Sequence, residues 1–448
     1  MARGAWVSGQ GWALGPWAAL ALAVAMATAL LADTNRFLPP VQEKYTDVAG
    51  GGGADLIPSF NAACALLDGV NPYRSDPDKY PDPFAYSRGA DQHITYLYTP
   101  THALVYVPFA ILSGRHFDVA ARMQFFFSFI LLAVLGVAIA DLIHTVTPMG
   151  PELRVSVALL SMVVLGLNPG NQLGMERGQS DLLTSALCWG SAALFCRGKL
   201  ALAAFLALAS GLLKGYGLVW FGGLALLGLL SPERRDKRAV IAGTAAGIVV
   251  LLLPVARYLP DAAVALSIRT GMFWPGWVNQ SLYGLGRFFV PSAAGFVRYA
   301  VVVWCGAVTV IAFWRLRSVW LLRAEVVAPQ AQRALHVSLF ATTALTWILS
   351  CSSNSIAYDG VVVLPGALIL AAVQGTLSVT GSRRERVIGS WLALTMFCLC
   401  AFSLHRLVGR TISPYRELPT HALGLLSLSI LIATQTRVRS FASAQPLP

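Results

Sequence analysis

Phe125-Phe-Phe-Ser-Phe-Ile-Leu-Leu-Ala-Val-Leu-Gly-Val-Ala-Ile-Ala140 carries no charge, and it is the centre of an apolar run from about Val119 to Ile143. A helix crosses the hydrocarbon core of a bilayer with ~20 such residues. The run therefore reads as a membrane span, and it is not alone. The 448 residues are 56% hydrophobic and 12% charged, against about 25% charged in an average soluble domain. Apolar runs recur from residue 12 to residue 435, which leaves no room for a separate soluble domain. One integral membrane domain over residues 1–448 is expected.

Working outward from that run, the preceding span is about Trp12 to Ala32. No small-residue cleavage site precedes Asp33, so an uncleaved first helix is expected in place of a signal peptide. The later spans are expected near 154–168, 180–196, 199–214, 216–230, 239–255, 296–315, 335–351, 360–379, 387–404 and 420–435. The result is an all-α polytopic membrane protein of about twelve transmembrane helices, with both termini inside. The net charge of +12 would suggest nucleic acid in a soluble protein. Here the basic residues sit in short links, such as Arg197-Gly-Lys199 and Arg383-Arg-Glu-Arg386, which is the positive-inside pattern. The seven cysteines show neither a disulfide framework nor a metal-ligand spacing.

Between the first two spans lies a long polar stretch, Asp33 to Tyr98, with nine acidic and five basic residues, net −4. A negative loop in a positive chain belongs outside. Thr99 to Ser113 is apolar but only about 15 residues long, which suits an interfacial helix better than a span. Residues 33–117 thus read as an extracytoplasmic loop carrying interfacial helices.

Within it, Gly50-Gly-Gly-Gly-Ala-Asp55 is followed by Leu56, Phe60, Ala63, Cys64 and Leu67 at helical spacing. Pro58 falls in the first turn, where no intrahelical donor is needed. Gly69 stands where a helix end favours a left-handed residue. Asp55 is either the helix N-cap or a carboxylate held at the mouth of a membrane-embedded site.

The outward segments, taken in order, resemble the C-type superfamily of membrane glycosyltransferases. Within it they resemble glycosyltransferase family 87, which contains polyprenyl-phosphate-mannose-dependent mannosyltransferases. The resemblance rests on Asp55 opening a helix that ends in Gly69-Val-Asn-Pro-Tyr73, on Tyr98-Thr-Pro100, on Gly178-Gln179-Ser-Asp181 with the later Gly211-Leu-Leu-Lys214, and on Asn279-Gln-Ser281 before Arg287. It spans roughly residues 12 to 380. The chain departs from the family at Gly215, where Pro is preferred, at Asp181, where Asn is frequent, and at Tyr358, which takes the place of a histidine. These departures point to a different sugar or acceptor.

The resemblance implies transfer of a sugar, mannose or another hexose or pentose, from a polyprenyl-phosphate donor. The acceptor is a lipid or a glycan on the extracytoplasmic face, and the anomeric centre is inverted. A phosphate leaving group is already a stable anion. The reaction then needs one general base for the acceptor hydroxyl and positive charge at the departing phosphate. Asp55 is the expected base. Lys214 and Arg287 are the candidates for the phosphate. Gln179, Asp181, Asn279 and Ser281 are expected to hydrogen-bond sugar hydroxyls, with Tyr358 and Asp359 either joining them or capping the next helix. No metal and no cofactor are expected. The partners are the lipid-linked donor, the acceptor and membrane lipids, with no nucleic acid, and the expected location is a bacterial inner membrane. The competing reading is a transporter or flippase for a lipid-linked sugar or small molecule. It would favour repeats and charges near span centres, whereas the charges here gather at span ends.

Overall fold

The computed structural model describes residues 15–32, 55–76, 79–80, 96–146, 149–229, 231 and 233–271, together with scattered positions between 296 and 387. Among the described residues every regular element is helical. They are α1 (Pro16–Ala32), α2 (Leu56–Leu67), α3 (Pro100–Leu112), α4 (Phe117–Val146), α5 (Pro151–Leu167), α6 (Pro169–Arg177), α7 (Asp181–Cys196), α8 (Leu200–Leu213), α9 (Tyr216–Leu229), α10 (Arg234–Gly247) and α11 (Leu259–Gly271).

Among the described residues two helices are long and apolar enough to cross a membrane, Phe117–Thr145 and Arg234–Ile268. A third is obtained if α5 and α6, which meet at a 70° bend, form one broken span. The other apolar helices are shorter. Each of the first seven expected spans is a helix at its expected place. The segments beginning at 296, 335, 360, 387 and 420 lie wholly or mostly outside the described residues.

α8 lies against α7, α9 and α10, while α4 joins α5 to α7 and α1 covers α5. Lipid tails offer no hydrophobic drive between helices, so close backbone approach through small residues does that work. Ala203, Ala204 and Ala207 are fully buried on α8. A methyl group at Gly243 of α10 would stand 1.9 Å from the Ala201 carbonyl oxygen, so only glycine fits that crossing. The large core residues Trp189 and Trp220 lie 6.0 Å apart, and their indole N–H groups donate to the Val362 carbonyl and to Ser191 Oγ, each at 2.8 Å. Away from this core, Phe126, Ile130 and Val137 on α4, and Val249 and Leu253 after α10, are exposed. Apolar side chains in such rows suit hydrocarbon, not water.

Two stretches between the expected spans are themselves largely helical. The stretch 168–181 contains α6, because Asn168 accepts the Asn171 N–H at 3.2 Å as its cap and Pro169 takes the first position, where its missing donor costs nothing. The segment after Arg257, which follows the expected span 239–255, is helical through Gly271. Pro254 cannot continue an ordinary α-helix, and the chain answers with a wide π turn, Ile248–Leu252, and a 3₁₀ turn, Leu253–Tyr258. Pro260 then sits in the first turn of α11, where proline is tolerated. Thr101 Oγ1 of α3 donates to the Leu251 carbonyl within the irregular stretch at 3.1 Å.

Candidate functional site

α2 begins where the spacing predicts, and Pro58 lies in its first turn. Gly69 has the left-handed φ of 71° just past its end. The Asp55 side chain, however, caps nothing, since it makes no hydrogen bond to a backbone N–H of α2. Its carboxylate meets Arg177 instead, with Nε donating to Oδ2 at 2.5 Å and Nη2 donating to Oδ1 at 3.1 Å. This is the two-pronged geometry that guanidinium and carboxylate favour. The Asp55 backbone N–H also donates to the Arg177 carbonyl at 3.0 Å. The N-cap expectation fails because a charged, bidentate partner offers more than two neutral amide donors.

Arg177 is delivered by α6, which stops at Gly178. Gly178 has φ 71°, and a side chain there would approach Leu56 Cβ to 2.7 Å. Glycine is therefore required twice over, by the backbone conformation and by the close passage of α2. Three residues further, Asp181 opens α7, where the helix dipole favours a carboxylate. Lys214 Nζ donates to Asp181 Oδ2 at 2.6 Å, and Tyr216 Oη donates to Oδ1 at 2.7 Å. The Lys214 and Asp181 side chains are only 6% and 3% exposed, so Lys214 does not snorkel to the surface. The five-residue turn from Arg177 to Asp181 thus supplies a cation to Asp55 and an anion to Lys214. Two cations and two carboxylates make a neutral quartet.

His102 of α3 ties these parts together. Its Nδ1 pairs with Ser59 Oγ of α2 at 3.2 Å and with Tyr96 Oη at 2.9 Å, and its Nε2 pairs with Ser180 Oγ at 2.9 Å. The Tyr98 ring stacks on the imidazole with centroids 4.5 Å apart. Thr99 anchors α3 by donating to the Leu212 carbonyl, at the end of α8 that carries Lys214. Tyr106, one helical turn on from His102, is fully buried. Burial pushes its phenol well above the ordinary value, Tyr98 adds to this, and the Asp181 and Asp55 charges add further.

The structure therefore brings together Asp55, Gln179, Asp181 and Lys214 of the expected site residues, all buried. Asn279, Ser281, Arg287, Tyr358 and Asp359 lie outside the described residues. Sequence reasoning missed Arg177, His102 and Tyr216. A lone cation in the segment between two apolar runs was the available signal for Arg177, since a charge at that depth calls for a partner. The motif Gly69-Val-Asn-Pro-Tyr73 turns out to hold the fold: Asn71 Nδ2 donates to Asp261 of α11 at 2.7 Å, and buried Tyr73 donates to the Tyr98 carbonyl at 2.6 Å.

A carboxylate, a guanidinium, an ammonium and an imidazole converging at one end of a helical bundle can deprotonate a hydroxyl and neutralise an anion. Among the described residues no three His, Cys, Asp or Glu side chains form a group suited to a metal ion. Comparison of the chain with family models, with curated proteins and with solved structures finds no match.

Proposed function

We propose that the chain is an inverting membrane glycosyltransferase that moves a sugar from a polyprenyl phosphate to a lipid or glycan hydroxyl. The observation that carries the reading is the pairing of Asp55 with Arg177 beside the Asp181–Lys214 pair, at one end of a bundle whose described elements are all helical. In this reading the fold is that of the C-type superfamily, with about twelve spans. The acidic 33–98 stretch sets the site on the extracytoplasmic side, and a bacterial inner membrane is the setting.

The reaction asks little of the protein beyond placement and charge. The acceptor oxygen forms its bond to the anomeric carbon as the bond from that carbon to the phosphate oxygen breaks. The hydroxyl proton passes to Asp55. The bonding electron pair leaves with the polyprenyl phosphate, where Lys214 and Arg177 supply positive charge. In this reading Gln179 and Asp181 hydrogen-bond sugar hydroxyls, Asp181 while it is also held by Lys214 and Tyr216, and His102 holds the turn that bears them through Ser180.

Two features favour a second reading. The 70° bend between α5 and α6 and the π turn after α10 resemble the discontinuous helices of transporters. A single experiment separates the two. Purified protein is given radiolabelled polyprenyl-phosphate sugars with membrane-lipid acceptors, and in parallel is reconstituted into vesicles. Labelled acceptor is the expected product. No transfer from any donor, with passage of label across the vesicle membrane, makes the chain a transporter.

A further inference from the structure

We infer that Arg177 is a phosphate-responsive lock on Asp55: the guanidinium holds the carboxylate until the phosphate of a lipid-linked donor draws it away. The inference rests on the reading above, and it adds a conditional step that the reading does not contain.

The argument begins with charge. The quartet of Asp55, Arg177, Asp181 and Lys214 is neutral without any ligand. A phosphate entering a poorly solvated site needs a cation, since an unpaired buried anion is strongly disfavoured. Among the described residues of the site both cations are already engaged with carboxylates, so a phosphate that draws on either of them opens one of the pairs. The two pairs are not equally able to open. Lys214 and Asp181 are 6% and 3% exposed, and Tyr216 grips the second carboxylate oxygen. Arg177 is 33% exposed, so its guanidinium has a route outward.

The backbone makes the exchange local. The Asp55 N–H stays bound to the Arg177 carbonyl at 3.0 Å, and Gly178 keeps this turn against Leu56. The arginine side chain can therefore swing while Asp55 stays in place. A carboxylate left without its cation then attracts a donor, and the acceptor hydroxyl is the donor that the reaction supplies. The lock ties availability of the base to occupancy by the phosphate, and it disfavours activation of water in the empty site.

This predicts a tightening that depends on Arg177, whereas tightening by simple relief of charge repulsion from Asp55 does not. Asp55 competes with phosphate for Arg177, so removing the carboxylate's charge strengthens phosphate binding. The probe is farnesyl phosphate, bound by the purified full chain in detergent micelles and measured by calorimetry. Asp55→Asn is expected to bind it about five- to tenfold more tightly than the unaltered chain, in the range of ordinary coupling between sites. Arg177→Gln is expected to bind about tenfold more weakly. In the double variant the gain from Asp55→Asn disappears, because it acts through Arg177.

Unchanged or weaker binding by Asp55→Asn overturns the inference, and this holds even if Arg177→Gln fails to fold. Farnesol, the same tail without phosphate, is expected to respond to neither substitution, and an equal response from it also overturns the inference. Inorganic phosphate bound as tightly as farnesyl phosphate contradicts the lipid-linked source. Failure of the lock and failure of the parent reading are distinguishable. Sugar transfer without tightening in Asp55→Asn removes the lock alone, whereas tightening without any sugar transfer removes the glycosyltransferase.

Discussion

The two ends of the helical bundle each bury a carboxylate with arginine, and they use it differently. At one end Asp55 has one guanidinium and Asp181 one ammonium, joined through the five-residue turn from Arg177 to Asp181. At the other end Asp141 of α4 is shared by Arg154 of α5 and Arg197 at the end of α7. The 16 residues of α7 put roughly 24 Å between the ends. Asp141 is 7% exposed, but its arginines are 37% and 50% exposed and reach solvent. It has cations to spare and binds three helices, so it is a clasp. Among the described residues the first end has no spare cation, has a buried histidine among hydroxyls, and takes its charged groups from three separate segments, Asp55, the Arg177–Asp181 turn and Lys214. Charge in excess marks a joint; charge in balance marks a place where a ligand has to displace something.

The largest effect that sharpens this contrast is expected at Lys214. Lys214→Met leaves Asp181 buried without its cation and is expected to cost about 3–5 kcal/mol of stability. Denaturation in detergent measures it, and the double variant with Asp181→Leu is expected to recover most of the loss. Next comes Gly178→Ala, which strains a left-handed residue and drives a methyl group towards Leu56, at about 1–3 kcal/mol by the same measurement. Arg154→Met at the other end leaves Asp141 with Arg197, and the pair is half-solvated, so about 1 kcal/mol or less is expected. A loss at Arg154 as large as at Lys214 would break the contrast.

The smallest effect is a pH response at the rim. The Tyr80 hydroxyl, then Arg115 and Lys79, hold the Asp68 carboxyl well below its usual range. A lowered value in the fold means that this contribution is fully present above the unfolded value of about 3.9 and is lost only as pH falls through the folded value. Protection against hydrogen exchange in the 113–116 turn, taken relative to the intrinsic exchange rate at each pH, is therefore expected to be unchanged from pH 7 to about 4 and to fall only at stronger acidity. Loosening already at pH 6 would contradict the assignment.

Helix positions were legible because a span is a local property: an uninterrupted apolar run has one stable solution in a bilayer. α11 was not legible, since Pro254 and Pro260 look like terminators, yet each sits at the start of a turn that tolerates it. At the site, Asp55 and Lys214 stood out in the sequence as charges beside apolar runs, and Asp181 entered through the resemblance. Their pairing was not legible. Asp55 and Arg177 are 122 residues apart, and Asp181 and Lys214 are 33 apart, so no periodicity connects them. That Lys214 and Asp181, both expected to meet a ligand, also bind each other is a fact of the fold alone. His102 was hidden behind Tyr98-Thr-Pro100, whose visible role is to start α3.

The most direct test compares the two ends in one assay. Transfer from a radiolabelled polyprenyl-phosphate sugar is measured per folded molecule for the unaltered chain, Asp55→Asn and Asp141→Asn. Loss of a general base is expected to lower transfer about 10²–10⁴-fold in Asp55→Asn, with little change in stability, while Asp141→Asn loses stability and keeps its transfer rate. Transfer that survives in Asp55→Asn, or falls equally in Asp141→Asn, would contradict the assignment of the Asp55 end as the site of chemistry.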